Sequence, residues 1–247
     1  MGRRDSLIKA NKGKVVLKVL GVIVARGGSK GVPGKNLKPL DGIPLIRYSI
    51  DAAKNAKNLT NFIVSTDGDD IAEFAKKSGA NVPFVRPADL ANDVISPMYA
   101  VLHAKKFMES QGEQYDAILM LQPTAPFRKS EDIDGAISLL ESSKADSVIS
   151  VVDVGAYHPA RMKYLEGDRL IDPPFCEAYE NQRRQELKPM YIRNGAIYLT
   201  KSEILEGESF KGKDCRAWVM SWQRSVNIDT EEDFLYAEWL STRGLIV

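Results

Sequence analysis

A loop of glycines interleaved with cations follows the first apolar run of the chain, in the segment VIVARGGSKGVPGKNL that begins at Val22. Glycine allows the backbone to approach a ligand closely, and consecutive N–H groups of such a loop can point at phosphate oxygens. Arg26 and Lys35 would supply the countercharge. These residue types in this order predict a site that holds a polyphosphate.

The loop does not follow either of two common phosphate-binding patterns. The Walker A pattern, G-x-x-x-x-G-K-[ST], would need a glycine in place of Ser29 and a hydroxyl in place of Asn36. The spacing of Gly28, Gly31 and Gly34 lacks the initial G-x-G of a dinucleotide-binding fingerprint. The sequence therefore predicts phosphate binding without predicting a P-loop or a dinucleotide site.

Two further segments carry polar side chains that suit a ligand site. In QPTAPFR, Gln122, Thr124 and Arg128 stand among two prolines that restrict the backbone, as in a rigid ligand loop. In VNIDTEED, Asn227 and Asp229 alternate along a predicted strand end, which places both side chains on one face. Magnesium commonly binds one or two carboxylates together with substrate phosphates, so Asp229 is a candidate metal ligand.

A third segment, VRPADLAND, gives weaker evidence. Arg86 and Asp93 flank a short turn that begins with a proline, just before a predicted helix. Exposed charges are common before helices, so this segment alone does not predict a site.

Composition excludes several kinds of function. The chain has 247 residues and a net charge of +1, which gives no electrostatic reason to expect nucleic acid or membrane as a partner. His103 and His158 are the only histidines, so a multi-histidine metal site is excluded and a histidine-based triad is disfavoured. Cys176 and Cys215 form no C-x-x-C pair and predict a reducing compartment with buried, inert thiols, with a single disulfide bridge as the alternative.

The N-terminal segment and the hydropathy pattern predict a cytoplasmic protein. No apolar run approaches the roughly 18 residues that span a bilayer. The first 14 residues, MGRRDSLIKANKGK, lack the apolar region of a secretory signal, so residues 1–14 are expected to form a flexible arm.

Strand-like and helix-like segments alternate through the first two-thirds of the chain, which predicts an α/β fold with a mostly parallel, Rossmann-like sheet and helices on both faces. Ligands in such sheets bind outside the carboxyl ends of the strands, where the glycine loop, the TDGDD turn at 66–70 and the QPTAPFR loop would all open on the same edge. The predicted strands cover residues 14–25, 61–65, 117–121 and 147–152, and the predicted helices cover 45–56, 69–78, a segment starting at 97, and 131–142.

The alternation stops between residues 155 and 193, where prolines are scattered and no helical period is sustained. Strands are expected again at 195–199 and near 217–221, followed by a last helix whose entry is a capping box of Thr230 and Asp233. We therefore expect one α/β domain, formed by 15–154 and 194–247, with residues 155–193 as an inserted subdomain.

Six segments in order resemble the acylneuraminate cytidylyltransferase family, including its bacterial relatives that act on legionaminic and similar nonulosonic acids. The resemblance covers about residues 22 to 239, nearly the whole chain. The segments are VIVARGGSKGVPGKNL, VSTDGDDIAEFA, RPADLANDVIS, LMLQPTAPFR, RRQELKPMYIRNGAIY and NIDTEEDF.

This resemblance implies a nucleotide-diphospho-sugar transferase-like fold with a dimerisation arm, so a homodimer is expected. It implies the joining of CTP and a nine-carbon keto-acid sugar to give a CMP-sugar and pyrophosphate, with Mg²⁺. Lys35, Arg26 and Asp229 would be catalytic. The implied nucleotide-binding residues are Arg26, Gly27, Ser29, Lys35, Asn36, Arg86 and Ser96. The implied sugar-binding residues are Gln122, Thr124, Arg161, Arg184, Asn194 and Tyr198. Arg184 would come from the partner subunit, and Lys163 is an alternative to Arg161 for the same contact.

One position departs from the family pattern. Sialic acid synthetases typically read D-I-D where this chain has Asn227, Ile228 and Asp229. Asparagine offers a neutral carbonyl but no charge, so metal binding is expected to depend on Asp229 and the triphosphate. The change also suggests an altered metal arrangement or an altered sugar preference.

Two other interpretations remain open. A related enzyme could use an eight-carbon 3-deoxy-sugar acid or another nucleotide, although RRQELKPMYIRNGAIY favours the nine-carbon branch. A nucleotide-binding regulator without catalysis is suggested by Asn227 alone. The sequence does not identify the sugar, and Phe210, Leu205 and Trp218 are equal candidates for the wall of its pocket.

Overall fold

A computed structural model describes residues 17–28, 31–92 and 94–246. The predicted arm at 1–14, the first residues of the strand predicted at 14–25, Ser29 and Asp93 lie outside the described residues.

Ten strands and six helices form the described chain, together with 3-10 turns at Lys35–Leu37, Ala88–Leu90, Pro159–Arg161 and Arg184–Glu186. The strands are β1 (Val19–Val24), β2 (Pro39–Leu40), β3 (Ile43–Pro44), β4 (Asn61–Ser65), β5 (Ala117–Leu121), β6 (Ser147–Asp153), β7 (Tyr164–Glu166), β8 (Arg169–Ile171), β9 (Tyr191–Lys201) and β10 (Cys215–Val219). The helices are α1 (Leu45–Asn55), α2 (Asp69–Lys77), α3 (Pro97–Ser110), α4 (Ser130–Ser143), α5 (Ser202–Glu206) and α6 (Glu231–Thr242).

Six strands form the central sheet in the order β10-β6-β9-β5-β1-β4. The pairs β1–β4, β1–β5 and β10–β6 are parallel, whereas β9 is antiparallel to both β5 and β6. The chain leaves β6, forms the 155–190 segment and returns directly as β9, so no crossover helix lies between these two neighbours. The predicted mostly parallel α/β sheet is confirmed.

Helices cover both faces of the sheet because its central strands are apolar on both sides. All five residues of β5 are buried. On one face, Ile50 of α1 and Ile137 of α4 belong to a core cluster with β-strand residues; on the other, Val101 of α3 and Leu205 of α5 form a second cluster. A third cluster places α6 beside the short β2 strand through Phe234.

Two helix starts follow the local rules that the sequence predicted. Ser96 caps α3 by accepting a hydrogen bond from the Met98 N–H at 3.3 Å, and Pro97 occupies the first helical position, where its missing N–H costs nothing. Thr230 and Asp233 form a reciprocal capping box at the start of α6. Both caps lie beside the edge of the sheet where β1 and β5 end.

The inserted segment contains the short antiparallel hairpin of β7 and β8 and two 3-10 turns. Tyr157, Leu165 and Leu170 are 74%, 70% and 72% exposed, so this segment presents apolar side chains to solvent. The prediction of buried thiols is wrong, because Cys176 lies exposed in this segment and Cys215 lies half-buried on the edge strand β10. Among the described residues no helix is long and apolar enough to cross a membrane.

Candidate active site

A cavity of about 270 Å³ opens at the carboxyl ends of β1 and β5. It is lined by seven of the residues predicted from sequence: Arg26, Lys35, Asn36, Arg86, Gln122, Thr124 and Asp229. Val24, Leu90, Asn92, Ile95, Pro97 and Pro123 complete the lining. The glycine loop, the QPTAPFR loop and the segment before α6 therefore meet in one place, as the sheet topology predicts.

Internal hydrogen bonds hold the two halves of the glycine loop together. The Asn36 side-chain amide donates to the Arg26 carbonyl at 2.8 Å, across the turn. Gly34 has a φ of 62°, a left-handed conformation that lets the chain enter the 3-10 turn containing Lys35. The Gly27 N–H donates to Asp67 at 3.0 Å, which ties the loop to the turn after β4. Asn36 is thus assigned a structural contact in addition to its predicted nucleotide contact.

Lys35 connects the glycine loop to the segment before α6. Its ammonium donates to the Ile228 carbonyl at 2.6 Å and lies 3.6 Å from the Asp229 carboxylate. The Ile228 N–H in turn donates to the Thr124 carbonyl at 2.8 Å. All three loops are therefore joined through Ile228, a residue whose own side chain is buried.

Burial lowers the pKa of Lys35 from its ordinary value. The nearby Asp229 carboxylate opposes this shift, and the Arg26 guanidinium adds to it. The ammonium is held in place by a neutral carbonyl and a carboxylate that is 67% exposed, which leaves much of its charge available to an incoming anion.

Two amide oxygens, those of Asn227 and Gln122, approach the backbone at Gly195, and Gln122 also lines the cavity. Gly195 has a φ of 78°, and a Cβ there would lie 3.2 Å from both Asn227 Oδ1 and Gln122 Oε1. The Asn227 amide donates to Asp229 at 2.6 Å. Among the described residues no group of three or more His, Cys, Asp or Glu side chains could hold a metal. The donor set of one carboxylate and two amide oxygens fits Mg²⁺ when phosphates complete its coordination.

Arg86 enters the cavity from a buried position. It is 6% exposed, and its guanidinium donates to the Ser65 hydroxyl at 3.1 Å and to the Ser65 carbonyl. Burial lowers the pKa of Arg86, and Asp67 opposes this. Asn92 and Ile95 also line the cavity, and neither was predicted as a site residue because neither residue type signals a site on its own.

Arg128 has a different role from the ligand contact that its loop suggested. It is 3% exposed and donates to the Ala196 carbonyl at 2.7 Å and to the Ser49 hydroxyl at 2.6 Å. Burial lowers its pKa to about 10. Arg128 therefore fastens the QPTAPFR loop to α1 and β9, and it is absent from the lining of the cavity.

Gly27, Ser96, Asn194 and Tyr198, which were predicted to contact the nucleotide or the sugar, lie outside the lining of this cavity. Ser96 lines a neighbouring cavity. Asn194 is 3% exposed and forms hydrogen bonds with Ser150, Ser225 and the Ala196 N–H, which satisfy its amide within the core. The ring of Tyr198 packs 5.5 Å from that of Phe210. Sugar contacts by Asn194 and Tyr198 stay predictions.

The two predicted basic sugar contacts lie in the inserted segment. Arg161 donates to Glu177 at 3.0 Å and to the Gln182 carbonyl at 2.8 Å, and it lines a separate cavity of about 670 Å³. Lys163 lines the same cavity, and Arg184 lies exposed at the start of a 3-10 turn. Their contribution to the site of a partner subunit stays a prediction.

The neighbouring cavity, of about 610 Å³, lies over the face of β6, β9 and β10 opposite α4. Ser96, Met98 and Phe210 belong to its lining. Phe210, Leu205 and Trp218 were equal candidates for the wall of the sugar pocket, and of these only Phe210 borders this cavity. Leu205 is fully buried, and the Trp218 indole donates to Asp132 at 3.1 Å. Its remaining lining is Ile149, Val151, Arg193, Glu208, Ser209, Lys211, Cys215, Arg216 and Ala217.

We expect a methyl group at Gly31 to disturb the site far more than one at Gly28. A Cβ at Gly31 would lie 2.0 Å from the Asp229 carbonyl, whereas one at Gly28 would have no neighbour within 4 Å. Gly31→Ala should lower the free energy of unfolding by about 1–3 kcal/mol, because the backbone at Asp229 must move. Gly28→Ala should change it by less than about 0.5 kcal/mol. Urea denaturation measures both, and equal stabilities would contradict the packing described.

Comparisons with known proteins agree on one family. A model of the cytidylyltransferase family matches residues 20–206. The chain is 34% identical over 227 residues to the CMP-N,N'-diacetyllegionaminic acid synthase of Legionella pneumophila, covering 91% of this chain and 96% of that protein. It is 32% identical over 225 residues to a pseudaminic acid cytidylyltransferase of Campylobacter jejuni, covering 91% of this chain and 96% of the relative.

The fold also has close counterparts among solved structures. One is a CMP:2-keto-3-deoxy-manno-octonic acid synthetase complexed with CTP, with a TM-score of 0.69 and 18% identity, covering 92% of this chain and 99% of that chain. At that identity the likeness supports the α/β nucleotidyltransferase fold alone. Because the family model covers well over half of the chain and relatives above 30% identity match along nearly all of it, the chain belongs to the cytidylyltransferase family.

Proposed function

We propose that this protein transfers a cytidylyl group from CTP to a nonulosonic acid, giving a CMP-sugar and pyrophosphate. The observation that carries the proposal is the cavity in which Arg26, Lys35 and Arg86 converge with Gln122 and Asp229. Relatives that are more than 30% identical over nearly the whole chain are named for this chemistry on legionaminic and pseudaminic acids.

The reaction is a direct displacement at the α-phosphorus of CTP. The anomeric hydroxyl oxygen of the sugar forms a bond to that phosphorus, and the bond from the α-phosphorus to the oxygen bridging to the β-phosphate breaks. Pyrophosphate carries away the bonding electrons, and the hydroxyl proton passes to solvent. No described residue of the cavity is an obvious base, so positioning and charge neutralisation would supply most of the catalysis.

Lys35 and Arg26 are assigned to the triphosphate. Both line the cavity at the glycine loop, and the Lys35 ammonium is held by the Ile228 carbonyl. Charge that develops on the leaving pyrophosphate would be stabilised there by donors already in place, which need no rearrangement during the reaction. Asn36 and Gly27 would shape the loop, and Arg86 would lie near the cytidine.

Asp229 is assigned to Mg²⁺, with Asn227 and Gln122 as neutral oxygen donors beside it. Magnesium would neutralise phosphate charge at this place when bound. Asn227 would have to turn its carbonyl oxygen toward the ion, because its amide nitrogen now donates to Asp229. Because Asn227 is neutral, the negative charge of Asp229 would be the main contribution of the protein to metal affinity.

Pyrophosphate release with CTP and Mg²⁺, measured against a panel of sugar acids, tests this function. We expect turnover with nine-carbon acids, and Asp229→Ala should abolish it.

Lys35→Ala should lose about 2–4 kcal/mol of transition-state stabilisation, as for one oriented charged donor. Lys54→Ala, on α1 away from the cavity, serves as the control.

Each remaining outcome of that assay has a different meaning. Preference for an eight-carbon 3-deoxy-sugar acid or for another nucleotide would assign the chain to a related enzyme. CTP binding without turnover on any acid would indicate a regulator. Near-normal pyrophosphate release by Asp229→Ala would refute the role of Asp229.

The alkaline limb of the pH profile should report the ionisation of Lys35. Burial lowers the pKa of Lys35, so the ammonium is lost at a lower pH than that of an ordinary lysine. We expect kcat/KM, which follows the free enzyme, to fall as pH rises through that pKa. Lys35→Arg keeps its charge and should flatten this limb. A limb that is unchanged in the arginine variant would assign it to another group.

We also propose that the protein works as a homodimer in the cytoplasm. Leu165 and Leu170, on the β7–β8 hairpin, are among the most exposed apolar side chains of the inserted segment, and Phe175 and Met162 lie exposed near them in the chain. A second copy that covered this surface would remove it from water, a favourable change of about 25 cal/mol per Å². Arg184 of the same segment would then contribute to the partner's sugar site.

We expect Leu165→Glu with Leu170→Glu to give a monomer with reduced kcat/KM for the sugar. Light scattering after gel filtration measures the oligomeric state. Leu235→Glu on α6, also strongly exposed, is the matched control and should leave the dimer intact. A wild-type monomer with full activity would contradict the proposed assembly.

A further inference from the structure

Gln122 lines the first cavity, at the carboxyl ends of β1 and β5, with a side chain whose place is set by its backbone. The Gln122 amide makes no hydrogen bond with another residue within 17–28, 31–92 and 94–246. The Gln122 carbonyl accepts from the Ala125 N–H at 3.2 Å within the turn, and it accepts a long hydrogen bond of 3.5 Å from the Arg128 guanidinium. The contacts that fix this backbone therefore decide where the amide lies.

Strand β9 carries a bulge beside Gln122. The register of β6 and β9 shifts between Ile149 and Val151, where one residue of β6 stands opposite four residues of β9, 194–197. Bulges of this kind re-aim side chains and are common next to active sites. The bulge contains Gly195, where a Cβ would lie 3.2 Å from the Gln122 amide oxygen.

Arg128 holds the Gln122 backbone and the bulge together. Its guanidinium donates to the Ala196 carbonyl at 2.7 Å, next to Gly195, and to the Gln122 carbonyl. The guanidinium also donates to the Ser49 hydroxyl of α1 at 2.6 Å. One planar fork of donors therefore holds three separate segments at fixed angles, which a single ammonium could not do.

The burial of Arg128 is unfavourable for stability. This side chain is 3% exposed, its Nε has no hydrogen-bond partner, and it forms no ion pair with any residue that the structure describes. Burial lowers its pKa to about 10, which leaves it charged at neutral pH. Because an unpaired buried charge destabilises a fold, packing alone does not explain a guanidinium at this position.

We propose that Arg128 is a positioning residue of the cytidylyl transfer, acting on the first cavity through the Gln122 amide. This inference rests on the proposed function. Arg128 is absent from the lining of the cavity, so it would act without touching either substrate. Its fork sets the distance between Gln122 and the bulge at Gly195, and a misplacement of about 1 Å can lower a rate by about a hundredfold.

A double-mutant cycle on turnover tests the proposal. Arg128→Lys keeps the charge and removes the fork, so it should lower kcat/KM for the sugar acid by about tenfold. Gln122→Ala alone should lower kcat/KM by at least about tenfold. In the Gln122→Ala background, Arg128→Lys should cause a loss of less than about twofold, because the amide through which Arg128 acts is gone. A purely structural residue would cause the same loss in both backgrounds.

Two further variants guard against an effect on folding. Ser49→Ala leaves Arg128 in place and removes one of its anchors, so it should show the same coupling to Gln122 with a loss of about threefold. Arg224→Lys is the matched control, because Arg224 donates to Asp132 at 2.5 Å and also has a buried Nε without a partner. Arg224 lines neither the first cavity nor its neighbour, and this control should change kcat/KM by less than about twofold.

The Gln122 amide also provides a readout that needs no turnover. Its side-chain N–H resonances in the NMR spectrum can be identified by their loss in Gln122→Ala. We expect these resonances to shift in Arg128→Lys and in Ser49→Ala, because the backbone that carries the amide moves. They should keep their positions in Arg224→Lys.

The outcomes separate this inference from the proposed function. Equal losses of kcat/KM in the two Gln122 backgrounds, or full activity of Gln122→Ala, would overturn the inference and leave cytidylyl transfer standing. A loss in Arg224→Lys as large as that in Arg128→Lys would do the same, as would Gln122 resonances that Arg128→Lys leaves unshifted. An absence of wild-type turnover with every sugar acid would refute the proposed function, and this inference with it.

Discussion

The hydrogen bond from the Lys35 ammonium to the Ile228 carbonyl is the contact on which the site depends. It joins residues 193 positions apart in the chain, and Ile228 is bonded in turn to Thr124. The backbone of Gly31 packs against the Asp229 carbonyl on the same segment. The glycine loop, the loop after β5 and the segment before α6 are therefore joined to one another by direct contacts.

Backbone carbonyls help to hold three strongly buried cations of this region. Lys35 donates to Ile228, Arg86 to Ser65 and Arg128 to Ala196. A carbonyl satisfies an N–H donor without cancelling the positive charge, so the charge stays available to an anion. Asp229 lies near Lys35 but is largely exposed, so its partial compensation of that charge is screened by water. This arrangement suits the binding of a triphosphate and the departure of pyrophosphate.

The two cavities meet at one helix start, the N-terminus of α3. Alternate residues at the N-terminus of α3 face the two spaces, and the cap by Ser96 fixes the backbone there. The first space collects buried cations and Asp229, and the second combines apolar side chains with Arg193 and Lys211. Different strands supply the side chains of each space, so a substitution in the lining of one cavity leaves the lining of the other unchanged.

Local sequence determined the elements and the site's main residues. The strands at 61–65 and 117–121 were predicted with the bounds observed, and the caps at Ser96 and Thr230 follow from nearest neighbours along the chain. Tertiary structure decided the rest. The loop residue Arg128 proved to be buried, and Phe210, rather than Leu205 or Trp218, proved to border a cavity. Such outcomes depend on which distant segments cover a side chain, and the periodicity of a single chain carries no information about that contact.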